Sequence, residues 1–124
     1  MPDRGTILVV DDDQLTCELL RGVLAAEGFH VLIATTGLEA LALFRQHAAE
    51  IRAVLLDLWM PGISGKVLCE EIYRTHSGTG IILMTAMNGL STQVVMAGVP
   101  VAGILLKPFH HAELLAKVRE AVEE

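Results

Sequence analysis

Residues 53–57 read Ala-Val-Leu-Leu-Asp, a short run of apolar side chains that ends in a carboxylate. The same pattern stands at residues 7–11, Ile-Leu-Val-Val-Asp, and similar runs at 81–85 and 103–107 end in a threonine and a lysine. Apolar runs without polar alternation are typical of strands covered on both faces, as in parallel sheets. The stretch therefore predicts one of several parallel strands, each followed by a polar residue at the same end.

Five such runs alternate with longer segments of helical period, which indicates an α/β fold with a doubly wound parallel sheet. The predicted strands are Ile7–Val10, His30–Ala34, Ala53–Leu56, Ile81–Met84 and Gly103–Leu106. The predicted helices are Gln14–Glu27, Leu38–His47, Lys66–Arg74, Ser91–Ala97 and His110–Val122. We expect the flavodoxin-like strand order 2-1-3-4-5, with five helices and a ligand site between the first and third strands, where the order reverses.

Composition narrows the class of protein. The chain has 124 residues, with 9 Lys plus Arg against 15 Asp plus Glu, so its formal charge is −6. One domain is expected, over residues 6–124 after a short tail at 1–5. The acidic balance disfavours direct nucleic-acid binding.

The longest uncharged apolar run, Val94–Leu106, is too short for a membrane span, which needs about 20 residues. Without a CxxC spacing or a secretory signal, Cys17 and Cys69 indicate a reducing cytoplasm and no disulfide.

The polar residues that follow the strands predict one shared pocket. The carboxyl ends of parallel strands meet at one edge of a sheet, so Asp11, Asp12 and Asp57 should lie together, with Thr85 and Lys107 nearby. Neighbouring carboxylates raise one another's pKa unless a cation neutralises them, and an all-oxygen site of this kind suits Mg²⁺. A lysine ammonium and a threonine hydroxyl facing that site could hold the oxygens of a tetrahedral anion, with a carboxylate as nucleophile.

These motifs resemble the response-regulator receiver domains of bacterial two-component signalling, and the length is similar to that of single-domain chemotaxis-type regulators. The resemblance covers nearly the whole chain, so residues 6–124 are expected to be the receiver domain. The residues that carry it are Asp11-Asp12, Asp57 with the following Leu58-Trp59-Met60-Pro61-Gly62 and Gly65, Met84-Thr85-Ala86, and Lys107-Pro108-Phe109.

The resemblance implies that Asp57 accepts a phosphoryl group from a histidine kinase or a phosphotransfer protein, with Mg²⁺ as cofactor. The residues implied to hold the metal are Asp12, Asp57, the backbone carbonyl of Trp59 and, through water, Asp11. Thr85 and Lys107 are implied to contact the phosphoryl oxygens, and the Lys107–Pro108 bond to be cis. Such a domain is not an enzyme for external substrates, because it catalyses only its own phosphorylation and dephosphorylation.

Two surfaces are candidates for protein partners. By resemblance, Leu15, Thr16 and Leu19 on the first helix form the docking site for the kinase, although helix packing explains them equally well. No Asp, Glu, Lys or Arg lies between Arg74 and Lys107. The apolar residues of that stretch predict either a buried fourth helix or an exposed face of the fourth helix and fifth strand, fitting a homodimer or an output partner. They are Leu90, Val94, Val95, Met96, Val99 and Val101.

The sequence departs from the family pattern at Ile104, where most members carry a Tyr or Phe that moves inward on activation. The departure leaves an alternative open, a constitutive protein-docking module in which phosphorylation matters little. Otherwise the signal passes from the pocket to the face formed by the fourth helix, fifth strand and fifth helix. An aspartate-nucleophile phosphatase is disfavoured, because no second acid stands two residues after Asp57.

Overall fold

The apolar runs form a five-stranded parallel sheet. The computed structural model describes residues 4–60, 62–86, 96 and 98–123. The strands are β1 (Thr6–Val10), β2 (His30–Ala34), β3 (Ile51–Asp57), β4 (Gly80–Thr85) and β5 (Gly103–Leu106). The helices of the described residues are α1 (Gln14–Ala26), α2 (Gly37–His47), α3 (Gly65–Thr75) and α4 (His111–Glu123). Every strand pair is parallel and the order is β2-β1-β3-β4-β5, so the predicted α/β class and strand order are confirmed.

Alternate residues of each strand pack into different hydrophobic layers, because successive side chains of a strand point to opposite faces. Val54 and its alternating neighbours pack with Phe44 of α2 and other residues of α2 and α3. Leu55 and its neighbours pack with Leu24 of α1 and with residues of α4. These core side chains are at most 1% exposed. Covering both faces of the sheet leaves its two edges, where the strands begin and end, as the places for polar chemistry.

Polar side chains begin the first three helices. The carboxylate of Asp13 caps α1, and the hydroxyls of Thr36 and Ser64 cap α2 and α3. Each accepts a hydrogen bond from a backbone N–H of the first turn, which has no partner within its helix. Asp13, the third acid of the Asp11–Asp13 run, therefore has a structural role that sets it apart from its two neighbours.

The described residues hold four helices rather than the five predicted. The predicted fourth helix, Ser91–Ala97, lies outside the described residues except for Met96, which is 5% exposed in the core. Strand β3 is longer than predicted because backbone pairing with β1 continues to Ile51, past the polar Arg52 that interrupts the apolar pattern. The apolar sequence pattern underestimates a strand when hydrogen bonding extends beyond the buried side chains.

Two further predictions concern covalent and membrane features. Cys17 and Cys69 are both buried free thiols. Burial raises the pKa of Cys17 to about 11 and that of Cys69 to about 12. Among the helices of the described ranges, none combines the length and the apolar character needed to cross a bilayer.

Candidate functional site

The carboxyl edge of the sheet brings together the polar residues that end or follow four strands. Asp57 is the last residue of β3 and Thr85 the last of β4, while Asp11 and Lys107 directly follow β1 and β5. Backbone hydrogen bonds continue beyond these strand ends. The Asp11 N–H donates to the Ala34 carbonyl over 3.1 Å, and the Lys107 N–H donates to the Thr85 carbonyl over 2.8 Å. The sheet itself therefore fixes where these residues lie.

Three carboxylates form a cluster at this edge. One oxygen each of Asp11, Asp12 and Asp57 lies within 4.8 Å of the others. Asp11 is fully buried, Asp12 is exposed and Asp57 is intermediate. Hard divalent cations bind oxygen ligands, and Mg²⁺ commonly takes one or two carboxylates while keeping several waters. The donor set and its partial exposure to solvent therefore fit a hard divalent cation, and Mg²⁺ stays the predicted one.

Lys107 neutralises the buried part of the cluster. Its Nζ lies 2.9 Å from Oδ2 of Asp11 and 3.6 Å from Oδ2 of Asp57. The side chain of Asp11 is 1% exposed and that of Lys107 is 30% exposed. Burial by itself lowers the pKa of Lys107, but the hydrogen bond that Lys107 donates to Asp11 and the charges of Asp11 and Asp57 outweigh it, so the pKa is raised. The ammonium is therefore held charged at the site.

Asp11 is held from three sides, which its sequence position did not reveal. Its Oδ2 accepts from Lys107 over 2.9 Å, and its Oδ1 accepts from the backbone N–H of Asp13 over 2.9 Å. Its backbone carbonyl accepts from the thiol of Cys17 over 3.2 Å. Both carboxylate oxygens thus already have protein partners. A role for Asp11 at the metal through water fits this geometry better than direct ligation does.

Asp57 is only partly compensated. Burial is the main factor that raises the pKa of its carboxyl, and the charges of Asp11 and Asp12 act in the same direction. The backbone N–H of Trp59, which donates to Oδ1 over 3.1 Å, and the Lys107 ammonium lower that pKa without cancelling the rise. The ionised form of Asp57 is therefore less favoured than that of a solvent-exposed carboxyl. The Trp59 carbonyl stays a predicted metal ligand.

Thr85 and Lys107 lie at the predicted ends of the fourth and fifth strands. Thr85 is fully buried at the end of β4. The Leu58 N–H donates to the Met84 carbonyl over 3.1 Å, so the backbone after Asp57 is joined to β4 beside Thr85. The Lys107–Pro108 bond is cis, as the resemblance implied. The contacts of Thr85 and Lys107 with phosphoryl oxygens stay predictions.

The start of α1 presents apolar side chains to solvent next to this site. Leu15 is 67% exposed and Leu19 is 59% exposed, so packing within the protein does not explain them. Leu19 also lines a cavity of about 410 Å³ together with Thr16, Phe109 and Lys107. A lysine of the candidate site thus borders an apolar recess suited to a partner's side chain.

The predicted apolar face of the fourth helix and fifth strand is described only in part. Met96 is buried, and Val99, Val101 and Ile104 pack partly buried against the same core layer, whereas Leu106 on β5 is 48% exposed. Leu90, Val94 and Val95 lie outside the described residues. The described part of this face is therefore mostly core, with Leu106 as its large exposed apolar side chain.

The burial of the Asp57 carboxyl beside Asp11 and Asp12 predicts that Asp57→Asn stabilises the protein when metal is chelated. The folded state holds the Asp57 proton more tightly than the unfolded chain does, so this carboxyl contributes a stability that falls as the pH rises above its ordinary pKa of 3.8. An amide removes that loss. Thermal unfolding in EDTA at neutral pH should show a higher midpoint, by about 3–5 °C for each kcal/mol of stability gained.

Asp13→Asn is the matched control for this stability measurement. It also removes one carboxylate from the Asp11–Asp13 run, but Asp13 is exposed and an asparagine caps a helix about as well as an aspartate. Its midpoint should stay close to that of the wild type. An equal rise in both variants would mean that net charge, and not the buried environment of Asp57, sets the effect.

Comparisons with known proteins agree on one family. The model of the response regulator receiver domain matches residues 7–119. The response regulator MprA of Mycobacterium sp. (strain KMS) is 38% identical over 119 residues, covering 96% of this chain and 50% of that protein. The uncharacterized transcriptional regulatory protein YkoG of Bacillus subtilis is 32% identical over 122 residues, covering 98% and 53%. The chain thus spans about half the length of these curated relatives.

Solved structures give the same result. A CheY-like receiver domain protein from Methanospirillum hungatei superposes with a TM-score of 0.88 at 28% identity, covering 96% of this chain and 94% of that one. The structure of a CheX-CheY-BeF3-Mg²⁺ complex from Borrelia burgdorferi matches with a TM-score of 0.84 at 25% identity, covering 92% and 86%. The fold and the sequence matches therefore extend over the same part of the chain.

Proposed function

Because the chain belongs to the response regulator receiver domain family, we propose that residues 6–124 receive a phosphoryl group on Asp57 in a Mg²⁺-dependent reaction. The donor is a phosphohistidine of a histidine kinase or of a phosphotransfer protein. The observation that carries the proposal is the meeting of three carboxylates with Lys107 at one edge of the sheet. The domain modifies itself and then signals to a partner, and it does not turn over external substrates.

In this proposal the protein supplies a nucleophile and the charges around it. A carboxylate oxygen of Asp57 forms the new bond to phosphorus while the phosphorus–nitrogen bond of the donor histidine breaks, and the imidazole nitrogen keeps the electron pair. The Lys107 ammonium, already 3.6 Å from Oδ2 of Asp57, stabilises negative charge on the phosphoryl oxygens. The Thr85 hydroxyl binds another of these oxygens. Positioning and charge provide most of the catalysis in phosphoryl transfer.

The metal would be held by Asp12, Asp57 and the carbonyl of Trp59, with Asp11 acting through water. When bound, Mg²⁺ neutralises the carboxylates and the phosphoryl oxygens and so lowers the barrier to transfer. Support comes from the raised pKa of Asp57, which reflects burial and unbalanced negative charge. A similar CheY was crystallised with BeF3 and Mg²⁺.

The partners follow from the surfaces around the site. Leu15, Leu19 and the adjoining cavity form the docking surface for the kinase or the phosphotransfer protein. The face formed by the predicted fourth helix (Ser91–Ala97), by β5 and by α4, which is the predicted fifth helix, passes the signal to a second copy of the chain or to another protein. We propose no direct contact of this domain with nucleic acid or membrane. Cys17 and Cys69 are free buried thiols, which favours a reducing compartment such as the cytoplasm. The proposed phosphoryl transfer from a kinase also favours a cytoplasmic location.

The test is phosphorylation by acetyl phosphate, a small donor that needs no partner protein, followed by intact-mass spectrometry. A single phosphoryl adduct should form in Mg²⁺ and should be lost in EDTA. Trp59 is the only tryptophan of the chain and stands beside the site, so its fluorescence should also change on titration with Mg²⁺ alone. An adduct of equal yield in EDTA would contradict the metal requirement. No adduct at all would favour the constitutive docking module.

A further inference from the structure

A tyrosine on α3 is bonded to the segment that leads into β5. The hydroxyl of Tyr73 donates to the backbone carbonyl of Pro100 over 2.5 Å, across 27 residues of sequence. The ring of Tyr73 is partly buried against the core layer between the sheet and the helices α2 and α3. Three apolar side chains of the output side pack against the same layer: Val99, Val101 and Ile104.

The segment entering β5 is held at its two ends as well. The Val99 N–H donates to the Met96 carbonyl over 2.9 Å, which closes a turn. The Ala102 N–H donates to the Ile81 carbonyl over 2.7 Å, which joins the segment to β4. Tyr73 supplies a bond between these two points, and it comes from a different element. The position of α3 therefore helps to fix the position of the backbone that leads into β5.

The N-terminal end of α3 packs against the loop that follows Asp57. A Cβ at Gly65, the first residue of α3, would lie 2.8 Å from Cδ1 and 3.3 Å from the carbonyl oxygen of Leu58, the residue after Asp57. Between the two ends the buried face of α3 is 0–1% exposed, at Leu68, Cys69 and Ile72. A close-packed interior is hardly compressible and transmits strain. A shift of the loop at Leu58 is therefore carried to Tyr73.

Phosphorylation supplies the cause of such a shift. Oδ1 of Asp57 accepts from the Trp59 N–H over 3.1 Å. When one oxygen of Asp57 bonds to phosphorus and the donor's phosphorus–nitrogen bond breaks, the carboxylate becomes a neutral acyl group. A hydrogen bond to a charged acceptor is about twice as strong as one to a neutral acceptor. The negative charge moves to the phosphoryl oxygens, so the Trp59 N–H loses its charged acceptor at Oδ1 and the loop that carries Leu58 can shift.

We propose that the Tyr73–Pro100 hydrogen bond is a latch that phosphorylation of Asp57 opens, which frees the segment entering β5. This inference rests on the proposed function and names how the phosphorylated site is read out. The latch also explains how the site and the output face can be coupled although Ile104 replaces the Tyr or Phe that most family members carry. Strand β5 has no aromatic side chain at that position, whereas α3 places Tyr73 in the same apolar layer. The latch is one two-state element that both the site and the output face can bias.

Tyr73 is the only tyrosine of the chain, so its signal is unambiguous. Wild-type protein labelled with ¹³C-tyrosine is treated with acetyl phosphate and Mg²⁺, and adduct formation is followed by intact mass in parallel. The ring carbon that bears the hydroxyl should shift when the adduct forms. Asp57→Asn, given the same treatment, should show no shift. A formed adduct with an unchanged tyrosine signal would overturn the latch alone, whereas no adduct would overturn the proposed function and the latch with it.

The variant Tyr73→Phe removes only the hydroxyl. Without phosphorylation, exchange of the Ala102 amide should already be about fivefold faster than in the wild type, the change expected from one lost hydrogen bond. Phosphorylation should raise the exchange of the wild type to a similar rate and leave the variant nearly unchanged, while both form the adduct equally well. Thr75→Val is the control, because it removes a hydroxyl that bonds to Glu71 within α3. Equal exchange in the wild type and Tyr73→Phe would overturn the latch.

Discussion

Asp57→Asn is expected to abolish the phosphoryl adduct formed from acetyl phosphate and Mg²⁺. The amide that replaces the carboxylate is not a nucleophile at neutral pH, yet it has the same size and its oxygen can still accept from the Trp59 N–H. The fold should therefore persist while the reaction is lost. Intact-mass spectra over time, recorded for the wild type and the variant under the same conditions, measure the effect.

Asp13→Asn is the control that separates position from charge. Asp13 lies two residues after Asp11, but its carboxylate caps α1 and bonds to the hydroxyl of Thr16. This variant should form the adduct as the wild type does. An adduct that survives Asp57→Asn would place the acceptor elsewhere, with Asp12 as the nearest exposed candidate.

Lys107→Met should give the largest loss of stability among substitutions at the site, because it leaves the buried carboxylate of Asp11 without its ammonium. Removing one partner of a buried ion pair costs about 3–5 kcal/mol. We expect about 2–4 kcal/mol here, since the ammonium is partly hydrated. Urea unfolding in EDTA measures the free energy of unfolding without a contribution from a bound metal.

In Lys107→Met, phosphorylation should also slow by about 10²–10³-fold, the usual effect of losing one group that stabilises transition-state charge.

A double-mutant cycle identifies the source of this loss. In an Asp11→Asn background, Lys107→Met should cost much less, because only the less buried and more distant carboxylate of Asp57 then loses its ammonium partner. Lys117→Met is the matched control: this partly buried lysine packs its methylenes across Gly103. Its removal should change the free energy of unfolding only slightly. Equal costs for Lys107→Met in the two backgrounds would show that the pair with Asp11 is not what stabilises the fold.

The strand pattern predicted most of the fold and the place of the site. Apolar runs that end in Asp11, Asp57, Thr85 and Lys107 fix both the parallel sheet and the edge where these residues meet. The signal is strong because it is local, with each run and its terminal residue contiguous in sequence. The strand order 2-1-3-4-5 was predicted with the fold class, and the pairing of β1 with both β2 and β3 agrees with it.

Features that depend on distant contacts could not be predicted. The burial of Asp11 results from packing around the end of β1 and from Lys107, which lies 96 residues away. The bond between Tyr73 and Pro100 joins two segments that have no common sequence motif. The exposure of Leu15 and Leu19 could not be predicted either. Apolar residues at a helical spacing indicate a buried helix face, and only the packing around them shows whether they are exposed.

The placement of the chemistry at strand ends bears on how such a protein can diverge. Asp57 and Thr85 are held by backbone hydrogen bonds of the sheet, which any apolar sequence of the right length can provide. Exposed helix surfaces, such as that around Leu15 and Leu19, contribute little to that framework and can change without disturbing it. A lineage can therefore replace most of its residues, as the structural match at 28% identity illustrates. Duplicated copies would inherit the same cluster of carboxylates and lysine while their exposed helix surfaces diverge.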